Sequence, residues 1–268
     1  MGNKRVLTSL ALIPILYVIV WILPSPYFRG LAALAAVIGL HEFYGMAESR
    51  GAKPLSKLGM VLGALIALGA FSGLRGPDTG LSFALVLCLL AVLTARLFSS
   101  RPVEGALVDS AITLLGILYV AMLFGFQVAI HRGSHGKQWL ALMYLVIWAS
   151  DTGAYYVGTA YGRRRLYEKI SPKKSVEGLI GGVLASIGVA LLCRMWLLPS
   201  SLGPAEAAFL GGILAFVGTI GDLVESLLKR SAGVKDSGTL IPGHGGVLDR
   251  MDSMLFAAPV LYYYLRMR

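Results

Sequence analysis

Long apolar blocks alternate with short polar connections along the whole chain. Read in a window of about 19 residues, the pattern predicts nine helices of membrane-spanning type. They fall near 5–24, 28–47, 58–73, 80–98, 110–131, 138–160, 177–198, 205–229 and 249–266. The expected fold is therefore all-α, a polytopic integral membrane protein with about nine transmembrane helices. The first block follows Lys4 and Arg5 as a signal peptide would. No small-residue cleavage site follows it, however, and eight more apolar blocks do, so it is expected to stay as a helix. Once the spans are removed, no soluble domain remains. The chain divides into 1–149, with about five and a half spans, and 150–268, where the candidate chemistry gathers.

Composition narrows the class further. Hydrophobic residues make up 56% and charged residues 14%, against roughly 25% charged in a soluble domain. A soluble globule and a disordered chain are both excluded. Cys88 and Cys193 lie inside apolar blocks, so neither a disulfide framework nor a zinc site is available. The net charge of +10 suits an anionic membrane surface, an anionic substrate or both, and no nucleic-acid partner is expected.

Charge also predicts orientation. Of the 24 Lys and Arg residues, 17 lie on the side shared by the N-terminus and the even-numbered loops. That side is expected to be cytoplasmic in an inner or plasma membrane, which puts the C-terminus outside after nine spans. Two loops on it, Tyr161 to Val176 and Ser231 to Leu248, exceed the roughly 12–15 residues at which an irregular loop usually has a function.

The acids point to the same region. Asp151, Asp222, Glu225, Asp249 and Asp252 lie within or at the mouths of predicted helices, where a carboxylate is costly and marks a candidate site. Asp222, Glu225, Ser226, Lys229 and Arg230 share one helix face, and Asp249 and Asp252 share a face of the next. Carboxylates with Lys and Arg, and without Cys, favour a hard cation such as Mg²⁺. A structural salt-bridge network is the competing reading. Between the two helices run Lys235-Asp236-Ser237-Gly238 and Pro242-Gly243-His244-Gly245-Gly246, a turn whose N–H groups could cradle phosphate oxygens. His41-Glu42 lacks the second His of a zinc motif and reads as an interhelical hydrogen bond. His131 and His135 are expected to be solvated in an outer loop, and Tyr262-Tyr263-Tyr264 to form an interfacial belt.

The run Ser226-x-x-Lys229-Arg230, Lys235-Asp236, Pro242-x-His244-Gly245-Gly246-x-x-Asp249-Arg250-x-Asp252 resembles the signature of the phosphatidate cytidylyltransferase (CDP-diacylglycerol synthase) family. Ser150-Asp151-Thr152-Gly153-Ala154-Tyr155 and Ser171-Pro172-Lys173-Lys174-Ser175-Val176-Glu177-Gly178 are similar to a second family stretch. There Ser175 stands for a usual Thr and Val176 for a frequent Trp.

The resemblance implies a Mg²⁺-dependent reaction of CTP with phosphatidate in phospholipid biosynthesis, yielding CDP-diacylglycerol and pyrophosphate. It implies Asp222 and Asp249 as metal ligands, with Asp252 third, and leaves open a second cation beside Mg²⁺. Lys174 and Arg250 join Asp222 and Asp249 as the catalytic set. Asp151, Ser175, Ser226, Lys229, Arg230, Lys235, Asp236, His244, Gly245 and Gly246 are the expected substrate contacts. Lys173 and Arg163 to Arg165 read better as a membrane-surface charge patch. The partners are the two substrates and membrane lipids, and a homodimer is compatible with the sequence. The nearest alternative is cytidylyl transfer to another lipid phosphate, as in CDP-archaeol synthases. A CTP-dependent lipid kinase is more distant. A cation or phosphate transporter should show polar breaks in both halves, whereas here they crowd into the last 120 residues.

Overall fold

The computed structural model describes residues 18–22, 24–69, 77–198, 202–240 and 245–268. Each of the eight predicted spans from residue 28 onward overlaps a helix; 110–131 covers two helices with a π-turn between them, and 70–73 of the span predicted at 58–73 lie outside the described residues. The first, 5–24, falls almost wholly outside the described residues, which include only a π-turn at Val18–Ile22. In chain order the helices are α1 (Ser25–Glu48), α2 (Ser56–Ala67), α3 (Pro77–Leu97), α4 (Ala106–Gly116), α5 (Leu123–Arg132) and α6 (Gly136–Tyr161). They continue with α7 (Val176–Trp196), α8 (Pro204–Ser231) and α9 (Leu248–Met267). A π-turn, Ile117–Met122, joins α4 to α5.

Among the described residues, four helical stretches are long and apolar enough to cross a membrane: Ser25–Glu48, Ala106–Arg132, Val176–Trp196 and Pro204–Ser231. They make this a membrane protein. The 12 residues of α2 span only about 18 Å, short of a roughly 30 Å hydrocarbon core. The first turns of α9 carry Asp249, Arg250 and Asp252, which lower its apolarity. In the predicted outer loop one expectation fails: His131 is buried near the end of α5, because that helix runs on to Arg132, while His135 is exposed as expected.

The chain forms two units, and they are not consecutive halves. Residues 1–129 and 232–250 make one, and 130–231 with 251–268 make the other. In the first, Tyr44 of α1 lies against Gly59 of α2 and Gly116 of α4, where added Cβ atoms would meet its ring. Its hydroxyl donates to the Thr113 carbonyl at 2.9 Å. Buried Arg96 and Asp109 form an ion pair at 3.5 Å, and Asp109 also accepts from the Lys53 N–H.

In the second unit α6, α7 and α8 pack backbone on backbone. A Cβ on Gly182 would sit 2.8 Å from the Ser150 carbonyl, one on Gly153 2.8 Å from that of Gly181, and one on Gly211 2.8 Å from that of Ser186. Small residues are how membrane helices gain close van der Waals contact. The Ser186 hydroxyl adds a hydrogen bond to the Val146 carbonyl at 2.8 Å. Leu184, Leu192 and Trp196 of α7 stay exposed, an apolar exterior that suits lipid.

The predicted loop from Tyr161 to Val176 contains a small hairpin. Gly162 ends α6 with extended backbone, and Arg165–Tyr167 (β1) pairs antiparallel with Ser171–Ser175 (β2). Glu177 fixes its entry by accepting from the Arg163 and Arg164 N–H groups at 3.0 and 3.2 Å.

Candidate active site

Three helices and the hairpin of the second unit enclose a cleft of about 350 Å³. Asp151 and Thr159 line it from α6, Lys173 and Lys174 from β2, and Asp222 from α8. Lys174 sits just before the start of α7, where Ser175 is the N-cap. The Ser175 hydroxyl accepts from the Gly178 N–H at 3.1 Å, so this buried side chain satisfies a helix end. That cap holds the preceding Lys174 at the cleft. Its ammonium lies 2.6 Å from Asp222 Oδ2, with both side chains under one-third exposed. The Ser226 hydroxyl, one turn along α8, donates to Asp222 Oδ1 at 3.3 Å.

Asp252 enters from α9. A Cβ on Gly221 would lie 2.7 Å from the Asp252 carbonyl, so the glycine before Asp222 lets the two backbones meet beside it. Asp252 interacts electrostatically with Asp222, Asp151 and Lys174. The sequence-predicted Asp151, Lys174, Asp222, Ser226 and Asp252 thus belong to one neighbourhood. Every one of its anionic or hydroxyl groups is a hard oxygen donor, which fits Mg²⁺ and not a thiolate-loving metal. Among the described residues no three acids, imidazoles or thiols converge closely enough to form a prebuilt cage.

Other predicted residues fall elsewhere. Glu225 is fully buried and pairs with Lys229 one turn on, so the lysine is engaged by an acid of its own helix. Arg230, Lys235, Asp236 and Arg250 are exposed. His244 lies outside the described residues.

In the first unit Ser237 and Gly246 of the Gly-rich loop meet the start of α9. Asp249 Oδ2 accepts from the Ser237 N–H, the Ser237 hydroxyl and the Gly246 N–H, each at 2.8 Å. Gly245 takes a φ of +79°, a left-handed conformation that glycine adopts without strain. The Gly246 N–H, expected to face a phosphate, is here directed at Asp249.

One residue does more than the interhelical hydrogen bond expected of it. Buried Glu42 of α1 accepts from the Val247 and Leu248 N–H groups at 2.9 Å each, and from the Ser237 hydroxyl at 3.2 Å. The usable signal was an acid within an apolar helix. Its partners, some 200 positions away, left no trace in local pattern.

Comparison with known proteins identifies the family. The model of the Cytidylyltransferase family matches residues 3–268. A phosphatidate cytidylyltransferase of Synechocystis is 34% identical over 99% of this chain and 97% of its own length. One from Haemophilus influenzae is 31% identical over 98% of both chains. The Bacillus subtilis protein of the same name is 42% identical over 56% of each. With a match running through almost every residue, the chain belongs to the cytidylyltransferase family.

Proposed function

We propose that this protein transfers the cytidylyl group of CTP to phosphatidate, forming CDP-diacylglycerol and pyrophosphate for phospholipid synthesis. The observation that carries the proposal is near-full-length similarity to two phosphatidate cytidylyltransferases. The lysine and carboxyl groups that meet in one cleft of a membrane protein give it chemical sense.

A phosphate oxygen of phosphatidate attacks the α-phosphorus of CTP. A new P–O bond forms, the bond from the α-phosphorus to the bridging oxygen breaks, and pyrophosphate leaves with that electron pair. The lipid phosphate is already an anion near neutral pH, so it hardly needs a general base. The obstacle is repulsion between two polyanions. Lys174 places a positive charge where the two meet, and its pair with Asp222 keeps that charge oriented. Arg250, Lys235 and Arg230 are assigned as further phosphate contacts. We assign Mg²⁺ to Asp222, Asp252 and Asp249, the last on the strength of the sequence signature. When bound, the ion offsets triphosphate charge and stabilises the leaving group. The chemistry then belongs to 150–268, while 1–149 supplies membrane helices.

Incubating the purified protein with labelled CTP, Mg²⁺ and phosphatidate should yield a liponucleotide and pyrophosphate. Release of CDP with a phosphorylated lipid would identify a kinase instead.

We further propose nine spans with the N-terminus and the loops bearing Lys174 and Lys235 in the cytoplasm, where CTP is made. Both native cysteines are buried, so a Lys235→Cys variant reports with little background. It should react with an impermeant maleimide only after cells are opened. Labelling in intact cells would reverse the orientation.

A further inference from the structure

We infer that Glu42 is a positioning residue for this reaction: from the C-terminal third of α1 it holds the Gly-rich loop and the first turn of α9 in the register that places Asp249. The inference rests on the proposed transfer for its kinetic consequence, but not for its structural one.

A helix begins with N–H groups that have no partner within the helix. At the start of α9 the N–H groups of Val247, just before the helix, and of Leu248, its first residue, donate to Glu42 Oε1 and Oε2, each at 2.9 Å. The cap is thus supplied by a residue 205 positions earlier in the chain. A carboxyl group at a helix start also opposes the positive end of the helix dipole.

The loop is shaped around that group. A Cβ on Gly238 would lie 2.7 Å from Glu42 Oε1, and one on Gly246 would strike both Glu42 and the Ser237 hydroxyl. In the turn just after α1, Arg50 meets Gly233: a Cβ there would strike the guanidinium, and the φ of +73° is one that glycine adopts without strain. α1 and the turn that follows it therefore support the loop near its beginning and at its end.

Ser237 links the support to Asp249. Its hydroxyl lies 2.8 Å from Asp249 Oδ2 and 3.2 Å from Glu42 Oε2. A hydroxyl has one proton to donate, so Glu42 is the alternative acceptor whenever Asp249 is otherwise engaged. Removing Glu42 frees the first turn of α9 and takes that alternative away, although Glu42 touches no reacting atom.

Glu42→Gln tests this with little change of size. The amide keeps one acceptor oxygen and turns a donor toward an N–H. In the full-length protein, exchange of the Val247 and Leu248 amides should accelerate by about 10- to 100-fold, the range set by loss of a buried hydrogen bond to a charged group. The kcat per folded molecule should fall by a similar factor, and Glu42→Asp should restore part of it. Asp109→Asn, which breaks the buried Arg96–Asp109 pair of the same unit, should lower Tm and leave both readouts at wild-type values. Wild-type exchange and kcat in Glu42→Gln would overturn the inference, as would a variant that merely copies Asp109→Asn. If Glu42→Gln does not fold, Ser237→Ala should show a smaller loss in the same direction, and an unchanged kcat there would equally overturn it. Amide exchange needs no substrate. A wild-type protein that holds these amides but transfers nothing would therefore count against the proposed reaction alone.

Discussion

Asp222→Asn and Asp249→Asn should each reduce cytidylyl transfer by on the order of 10³-fold while leaving a folded membrane protein. Asparagine keeps the size and one carbonyl oxygen but removes the charge that a hard divalent cation requires. At Asp222 the change also dissolves the pair with Lys174, whose members are 28% and 29% exposed, so the structural loss should be small. At Asp249 the amide oxygen can still accept from Ser237 and Gly246, which keeps the loop anchored and isolates the effect of charge. Purely structural roles predict the opposite pattern: a lower Tm, with activity per folded molecule largely kept. Measuring Tm and single-turnover rate on both variants separates the two readings, and early melting with a near-wild-type rate would remove the residue from the metal set.

Lys174→Met should cost about 10²- to 10³-fold in rate, the range for losing one oriented charge from a transferring group. Its Tm should hardly move, since a partly exposed ion pair contributes only about 0–1 kcal/mol. Lys173→Met, one residue away on the same strand and more exposed, should change the rate by no more than about twofold. If Lys173→Met and Lys174→Met lose equally, general basicity of the hairpin matters and the directed pair with Asp222 does not. Combining Lys174→Met with Asp222→Asn should lose much less than the product of the single losses, because residues in contact do not act independently.

The helices were legible because lipid demands apolar runs of a fixed length, and that demand is local. The start of α7 at Val176 and the ends of the loop from Ser231 to Leu248 could be read for the same reason. The cluster of Asp151, Lys174, Asp222 and Asp252 was legible as a list, from charges placed where charges are costly. Its internal geometry was not. Nothing in the sequence shows that Lys174 meets Asp222, that Ser175 spends its hydroxyl on a helix cap, or that Lys229 is taken by Glu225. The grouping of 232–250 with the N-terminal helices was equally hidden. Glu42, which by itself looked like an ordinary interhelical hydrogen bond, is one of the residues that join them. The two-stranded hairpin escaped notice because β1 has only three residues, too few to set up an alternating pattern.

The glycine crossings between α6, α7 and α8 bear on how the enzyme meets membranes of different composition. Side chains between helices form a compressible layer that can repack when the bilayer thickens or thins. Here even a Cβ at Gly153, Gly182 or Gly211 would strike a carbonyl of the neighbouring helix, so that layer is missing at the crossings. Hydrophobic mismatch should then tilt the three helices together instead of sliding one past another. Lys174 is tied to the start of α7 and Asp222 sits on α8, so their separation travels with the block. An enzyme whose own product changes the surrounding lipid thereby keeps its reacting charges at constant spacing as its solvent changes.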